Sequence, residues 1–314
     1  LQFIKKYNKD IKIDWIVEEC YKGLLDSNPD INKIHVVNLK KTKKKKSLFF
    51  LLRELKKVRQ FGFYDLVIDM QGLIKSAIIS KCIFSDATLG FDRQSAREGL
   101  SALFHNKTFK FGYDENVIER NLALLQFAIG FPSNNELIKT KLPFLYSSKN
   151  FTSKKLSKDK KNILIIPGAS DPSKRYSVSK FSELIQLLDA NYLIIWGDKQ
   201  EKKIADEIKA LSPKINVCKK ISIDSLISLI SQVDLIIGSD TGPVHMAWAL
   251  NKASITLFGN RPGNRNTFIT NINRVIESKS KVNPYKIDYQ DYSINEIQVN
   301  DIVEVSKRLL DLNE

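Results

Sequence analysis

The stretch LIIGSDTGPVHMAWAL (235–250) combines an apolar run with groups that can hold a polar ligand. The apolar run predicts a strand that ends at Ser239, and Asp240 then lies at its carboxyl end, where ligands bind in parallel α/β sheets. A carboxylate in that position can accept hydrogen bonds from sugar hydroxyls, and His245 can face the same ligand. In the simpler alternative, Asp240 only caps a helix and His245 is a core histidine.

The residues between Asp240 and His245 predict the start of a helix. Thr241 and Gly242 form a turn, and Pro243 is typical of the first helical position because its missing N–H costs nothing there. The free N–H groups of a first helical turn, together with the helix dipole, attract an anion. This junction therefore places a sugar-binding carboxylate beside an anion-binding helix start.

Two other predicted strand ends carry residues suited to a nucleotide. Lys174 lies on the loop after a strand at 162–167 and can reach a diphosphate as a point charge. Glu201 lies in the first turn of the helix after a strand at 192–197, where a carboxylate suits both the helix dipole and a ribose diol. Taken singly, Lys174 is equally typical of a solvated basic loop, and Glu201 of an ordinary helix start.

Short apolar runs rich in β-branched residues alternate with amphipathic segments along the chain. This alternation predicts an α/β fold with parallel sheets and crossover helices. The lysine-rich stretch 145–162 lacks periodicity and is interpreted as a linker, so we predict one domain at 1–150 and a second at 151–314. Both are expected to be doubly wound, with a cleft between them. The segment 294–312 predicts a C-terminal helix that can pack back across a domain.

The individual elements follow from the same patterns. Strands are predicted at 11–17, 34–39, 64–69, 88–91, 162–167, 192–197, 215–218, 235–239 and 254–258. Helices are predicted at 48–61, 178–188, 202–211 and 225–232. The chain opens on a helical pattern, whereas an α/β domain normally opens on a strand. We therefore expect a first strand and its turn upstream of Leu1.

The composition is that of a globular protein with an excess of positive charge. The chain has 314 residues, 43% of them hydrophobic and 27% charged, which suits two domains of ordinary size. Its three scattered cysteines predict a reduced cytosolic protein without disulfides or a zinc site. The net charge of +15 suits nucleic acid, an anionic membrane or a phosphorylated substrate. A bias toward lysine throughout the chain is the competing explanation.

One group of lysines is not spread out: the stretch 40–46 contains six in seven positions. It can hold an anionic lipid headgroup, and the alternative is a solvated loop. A nucleic-acid-binding module is a second class of function, but no recognition motif is present and aromatic residues do not interleave with the lysines. A nucleotide-sugar epimerase is a third class. The absence of a Gly-x-Gly-x-x-Gly fingerprint disfavours an NAD site.

Several of these segments together resemble a known family. The strand ends of the second half resemble the donor half of a GT-B glycosyltransferase. The segments SDTGPVHMAWAL (239–250) and SITLFGNRPG (254–263) are similar to the heptosyltransferase family of lipopolysaccharide core assembly. The segments YDLVIDMQGLIKSAIIS (64–80), LGFDRQSARE (89–98) and VIERNLALL (117–125) are similar to the heptosyltransferase I branch of that family.

The resemblance implies a GT-B fold, two Rossmann-like domains facing a cleft, and an inverting transfer of heptose from ADP-heptose to Kdo of Kdo2-lipid A. Heptosyltransferase II is the nearest alternative. ADP-heptose is a substrate, so no cofactor is expected, and without a suitable Asp-x-Asp pair we expect no metal. Donor contacts are implied for Lys174 with the diphosphate, for Glu201 with the ribose, and with the heptose and phosphate for Asp240, Thr241, Gly242 and His245.

The resemblance also implies an acceptor site and a location. The acidic Kdo sugars and lipid A phosphates would meet Lys41, Lys43, Lys44, Lys45, Lys46, Arg97 and Arg120. The enzyme would be cytoplasmic and peripherally attached to the inner membrane, with no nucleic-acid partner. The catalytic base of the family is an Asp in a turn after the first strand, which we expect upstream of Leu1. No residue of this sequence is therefore assigned as the base.

Overall fold

The computed structural model of the protein describes residues 1–39, 48–132, 135–149 and 151–311. The chain divides into two compact units, Leu1–Lys141 and Leu142–Glu314, called unit 1 and unit 2 below. The predicted linker at 145–162 begins just after this division. None of the described helices has the length and apolar character needed to cross a membrane.

Unit 1 alternates short strands and helices, as the sequence pattern predicts. In chain order its described elements are α1 (Gln2–Tyr7), β1 (Asp14–Glu18), β2 (Lys33–Val37), α2 (Leu48–Val58), β3 (Phe63–Asp69), α3 (Ile74–Cys82), β4 (Phe84–Phe91), β5 (Lys107–Phe109), α4 (Val117–Ile129) and α5 (Asn135–Lys139). Short 3-10 helices cover Glu19–Leu24 and Gly99–Phe104. Strand β1 pairs with β2, and β3 pairs with β4 and β4 with β5, all in parallel.

Unit 2 contains a larger parallel sheet. Its described elements are β6 (Asn162–Ile166), α6 (Val178–Leu187), β7 (Asn191–Ile194), α7 (Lys199–Leu211), β8 (Asn216–Val217), α8 (Ile223–Gln232), β9 (Leu235–Ser239), α9 (Gly242–Ala249), β10 (Ala253–Phe258), α10 (Gly263–Asn266), β11 (Asn273–Glu277) and α11 (Val299–Asp311). Further 3-10 helices cover Pro172–Lys174 and Ser293–Glu296. Helix α11 packs on α6 and on β10 within the same unit.

The strand order of unit 2 defines where a ligand can bind. The order is β11-β10-β9-β6-β7-β8, so the chain runs outward from β6 in one direction and then resumes at β9 on its other side. This is the order of doubly wound nucleotide-binding sheets. The connections leave the sheet on opposite sides at the β6–β9 junction, and a crevice opens there beyond the carboxyl ends of the strands. Lys174 follows β6 and Asp240 follows β9.

The apolar residues of the central strands form the core of unit 2. Every residue of β6, β9 and β10 is buried, which explains their continuous apolar runs: helices cover a parallel sheet on both faces. The helical side chains that pack in this core include Phe181 and Leu184 of α6 and Ile302 and Leu309 of α11. The strand ends are therefore anchored in a rigid sheet, while the loops that leave them are free to carry polar groups.

The predicted elements agree with the structure in type, and differ in extent. The strand predicted at 235–239 is confirmed without change. The strand predicted at 88–91 is the second half of β4, whose first half has the sequence FSDA, with polar residues of low strand propensity. Strands β5 and β11 were missed because more than half of their residues are charged or polar, and β5 has only three residues.

Candidate active site

Three polar side chains are hydrogen-bonded to Asp240, which directly follows β9. Lys174 donates through Nζ to Oδ2 over 2.9 Å, and His245 lies with Nε2 2.8 Å from Oδ1. Because an ionised carboxylate only accepts, Nε2 is the protonated ring nitrogen. Asn266 donates a longer bond of 3.4 Å to Oδ2. The structure thus brings together Lys174, Asp240 and His245, as the sequence predicts.

The charge of Asp240 is set by these neighbours. Its side chain is 14% exposed, and burial by itself raises the pKa of a carboxyl group. The bonds from His245 and Lys174 and their positive charge outweigh burial and lower the pKa of Asp240 from 3.8 to about 2. Asp240 therefore stays ionised at every physiological pH. This lowered pKa corresponds to roughly 2 kcal/mol of stability at neutral pH, lost as the pH falls from about 4 toward 2.

Lys174 is held by a brace that sequence reasoning missed. It ends the 3-10 helix Pro172–Lys174, which Asp171 caps by accepting from the Ser173 N–H at 3.1 Å. The other oxygen of Asp171 accepts from Arg261 Nη2 over 2.7 Å, and the Arg261 guanidinium lies 4.9 Å from the centre of the Tyr289 ring. Although burial raises the pKa of Asp171, its bonds to Ser173 and Arg261 bring it below its usual range.

A second bond fixes the same loop. Asn260 donates through Nδ2 to the buried Ser173 Oγ over 2.7 Å and to the Asp288 carbonyl over 2.6 Å. Both Asn260 and Arg261 belong to the segment 254–263 that carries the family resemblance, which is the signal that could have found them. The loop after β10 therefore holds the loop after β6.

Glu201 lies where the sequence predicts, in the first turn of α7. Asp198 caps this helix and accepts from the N–H of Glu201 over 3.0 Å. The Glu201 Oε2 accepts from the Gly197 N–H over 2.6 Å. A Cβ at Gly168 would overlap the Glu201 side chain, which shows how closely this carboxylate packs on the turn after β6. The half-buried carboxylate thus contacts the turns that follow β6 and β7.

The start of α9 differs from the prediction in one detail. The helix begins at Gly242, so that Pro243 is its second residue and not its first. The N–H groups of Val244 and His245 both bond to the Thr241 carbonyl, at 3.2 and 3.3 Å. Pro243 has no N–H. Within the described ranges, the amides of Thr241 and Gly242 have no acceptor, and these two are the groups that the helix start can offer to an anion.

The predicted acceptor residues of unit 1 have different environments. Arg97 is exposed on the loop between β4 and β5. Arg120 is only 4% exposed, and it donates to the carbonyls of Gly112 and Ser95 at 2.5 and 2.7 Å. Its guanidinium also lies 4.4 Å from the centre of the Phe91 ring.

The interpretation of Arg120 as an acceptor contact is therefore corrected. Its buried side chain holds two loops together by donating to a backbone carbonyl of each, and no local sequence pattern reveals these contacts. The predicted acceptor lysines Lys41, Lys43, Lys44, Lys45 and Lys46 lie outside the described residues.

Comparison with known proteins identifies the family. The family model of glycosyltransferase family 9 (heptosyltransferase) matches residues 51–289. Lipopolysaccharide heptosyltransferase 1 of Campylobacter coli is 38% identical, and the match covers 98% of this chain and 93% of that protein. The chain belongs to glycosyltransferase family 9. It is a glycosyltransferase of the heptosyltransferase kind, and the matched range includes Arg97, Lys174, Glu201, Asp240 and His245.

Solved structures show the fold of this family 9 member. Escherichia coli heptosyltransferase WaaC with ADP superimposes with a TM-score of 0.78 at 20% identity, covering 98% of this chain and 93% of that one. The same enzyme with ADP-2-deoxy-2-fluoro heptose gives a TM-score of 0.74 at 20% identity, covering 100% and 93%. The predicted GT-B fold, built on parallel α/β sheets, is confirmed.

Among the described residues of this family 9 enzyme, no group of three or more His, Cys, Asp or Glu side chains is arranged to hold a metal ion. Metal independence stays a prediction. The charged groups that the site offers instead are Lys174, Glu201, Asp240 and His245.

The low pKa of Asp240 depends on Lys174, which gives a testable consequence. Replacing Lys174 by Met removes a bond and a positive charge, so the pKa of Asp240 rises from about 2 toward its usual value, because His245 alone then opposes the effect of burial. Carbon-13 NMR of labelled aspartate carboxyls at pH 3 should show Asp240 largely ionised in the natural protein and more protonated in the variant. Lys199→Met, an exposed lysine at the start of α7, is the control. An unchanged titration in Lys174→Met would contradict the assigned ion pair.

Proposed function

We propose that this family 9 glycosyltransferase transfers L-glycero-D-manno-heptose from ADP-heptose to a Kdo sugar of Kdo2-lipid A, as a heptosyltransferase I of lipopolysaccharide core synthesis. The observation that carries the proposal is the cluster of Lys174, Asp240 and His245 at the β6–β9 junction of unit 2. The similarity to the Campylobacter coli heptosyltransferase 1 supports the choice of acceptor, and the nucleotides named with WaaC support the choice of donor.

Carboxylates, an ammonium group and backbone amides each bind a different part of the donor. Asp240, ionised and already bonded to Lys174 and His245, accepts from heptose hydroxyls, for which a carboxylate is a suitable partner. Lys174 presents its ammonium to the diphosphate, while the N–H groups of Thr241 and Gly242 bind a phosphate oxygen. Glu201, over the turn at Gly168, accepts from the ribose hydroxyls.

The reaction follows from this arrangement. A carboxylate base, an Asp by the family resemblance, removes the proton of an acceptor hydroxyl. The oxygen attacks the anomeric carbon of heptose from the face opposite ADP, the bond from that carbon to the phosphate oxygen breaks, and ADP leaves with the electron pair. Lys174 and the two amides stabilise the charge that develops on the leaving phosphate, the kind of contribution that usually dominates such catalysis.

Positively charged side chains are the basis on which we propose the acceptor and the location of the enzyme. Arg97 is exposed, and an anionic Kdo carboxylate or lipid A phosphate is the ligand that a free guanidinium recognises. The lysine-rich stretch 40–46 attracts the same anions. We propose that the enzyme is cytoplasmic and attaches peripherally to the inner membrane through these charges, with no metal or cofactor.

Removal of the Lys174 charge tests the donor site. Lys174→Ala should lower kcat with ADP-heptose by roughly 10²–10³-fold, because the leaving phosphate loses a charged partner. Steady-state measurement of ADP release gives both kcat and KM. Lys199→Ala, an exposed lysine on α7, should keep the natural rate. If kcat/KM is unchanged in Lys174→Ala, the proposed donor site is wrong.

The attachment to membranes is tested separately. The full chain should sediment with vesicles that contain anionic lipid, and less so as salt is raised, because charge screening weakens the attraction. Replacement of the five acceptor lysines between 41 and 46 by Gln should abolish most of this binding while leaving ADP affinity intact. Equal binding by the natural and substituted proteins would show that these lysines do not attach the enzyme.

A further inference from the structure

Asp69 is a buried carboxylate of unit 1 that the proposed donor site does not use. It ends β3, and both of its oxygens are bonded: Oδ1 accepts from the Gln71 N–H over 2.9 Å and Oδ2 from Ser76 Oγ over 2.8 Å. The side chain of His105 lies with Nε2 3.5 Å from Oδ2. The Asp69 side chain is only 2% exposed, so it cannot reach a substrate itself.

These bonds fix the turn between β3 and α3. Gln71 lies in the turn and Ser76 in the first turn of α3, so one carboxylate holds both ends of the connection. Gly72, between them, has a left-handed φ of +61°. A Cβ on Gly72 would lie 3.2 Å from the Arg97 nitrogen, which shows how closely the turn approaches the loop that carries Arg97.

The turn is bonded to that loop at Gly72 and at Ile74. The Gly72 carbonyl accepts from the Glu98 N–H over 2.9 Å, and the Glu98 carboxylate accepts from the Ile74 N–H over 2.7 Å. The second bond also occupies the amino end of α3, which is therefore not available to a ligand. The backbone next to Arg97 is thus attached to the turn by a pair of hydrogen bonds.

The other end of the loop is held independently. Asp92 accepts through Oδ1 from the Ser95 N–H over 2.8 Å, and Arg120 donates to the Ser95 carbonyl from the core. Between these two anchored ends, Arg97 is exposed. In the part of the chain that the structure describes, no ion pair or hydrogen bond involves the Arg97 side chain. A fixed backbone therefore presents a guanidinium that is open to a ligand.

We infer that Asp69 is a positioning residue for acceptor binding: through the turn at Gly72 and Glu98 it fixes the loop from which Arg97 meets the anionic acceptor. The inference rests on the proposed function, in which Arg97 contacts the acceptor. It assigns a role to a buried residue in the segment 64–80, and the role concerns binding of the acceptor and not of the donor.

The Asp69→Asn variant distinguishes an effect on acceptor binding from an effect on donor binding. Asp69→Asn puts an amide where Oδ2 accepts from Ser76, which loosens the turn without changing the size of the side chain. We expect the KM for Kdo2-lipid A to rise about tenfold, the equivalent of one well-placed charged contact, with the KM for ADP-heptose unchanged. Asp65→Asn is the matched control, because Asp65 is on the same strand but exposed, and its two KM values should stay natural.

A double-mutant cycle with Arg97→Ala distinguishes positioning from general damage. Arg97→Ala should also raise the KM for the acceptor. In the Arg97→Ala protein, Asp69→Asn should raise that KM further by less than about twofold, because both changes act through the same contact. An equal tenfold effect of Asp69→Asn with and without Arg97 would overturn the inference. So would an unchanged acceptor KM in a folded Asp69→Asn protein while Arg97→Ala raises it, and the proposed function would then stand.

Two further outcomes are decisive. If Arg97→Ala leaves the acceptor KM unchanged, the acceptor role of Arg97 is wrong and the inference fails with it. An unchanged kcat/KM in Lys174→Ala, by contrast, would contradict only the proposed donor site. If Asp69→Asn does not fold, the exposed Glu98 provides the second variant. Glu98→Ala removes the bond to Ile74 and should raise only the acceptor KM, by several-fold; no change would overturn the inference.

Discussion

The ion pair between Lys174 and Asp240 joins two loops that are 66 residues apart in the sequence and adjacent at the edge of one sheet. Burying a carboxylate is unfavourable unless its charge is compensated, and here a lysine and a histidine compensate it. Removal of either partner would leave charge in a largely buried place. The interaction therefore constrains both loops, and through them the geometry of everything that the β6–β9 junction can bind.

The sheet of unit 2 makes this pairing possible, and the surrounding loops make it rigid. Strands β6 and β9 are neighbours because the chain adds β7 and β8 on one side of β6 and then returns to place β9 on its other side. The brace from Asp171 to Arg261 then fixes the helical turn that ends at Lys174. Unit 1 repeats this principle with other residues: a buried Asp69 and a buried Arg120 hold the loop that exposes Arg97. In both units a buried charged residue fixes the backbone of the loop whose polar side chain is proposed to bind a substrate.

The extent to which the sequence predicts this arrangement depends on how local each feature is. The junction at 239–245 follows from a strand, a turn and a helix start that are contiguous, so the positions of Asp240 and His245 could be predicted. The contact of Asp240 with Lys174 depends on the strand order, which a single sequence does not state. Arg120 was assigned to the acceptor by the family resemblance alone, whereas its side chain is buried and donates to backbone carbonyls of two loops, contacts that no local pattern reveals. The brace from Asp171 to Arg261, 90 residues apart, has no local signal either.

We propose that this chain adds heptose to a Kdo sugar that carries no heptose. The most direct measurement is to incubate the full chain with ADP-heptose and either Kdo2-lipid A or the same acceptor already bearing one heptose, and to record product masses. We expect one added heptose on Kdo2-lipid A and none on the heptosylated acceptor. Transfer to the heptosylated acceptor alone, or to neither acceptor, would contradict it.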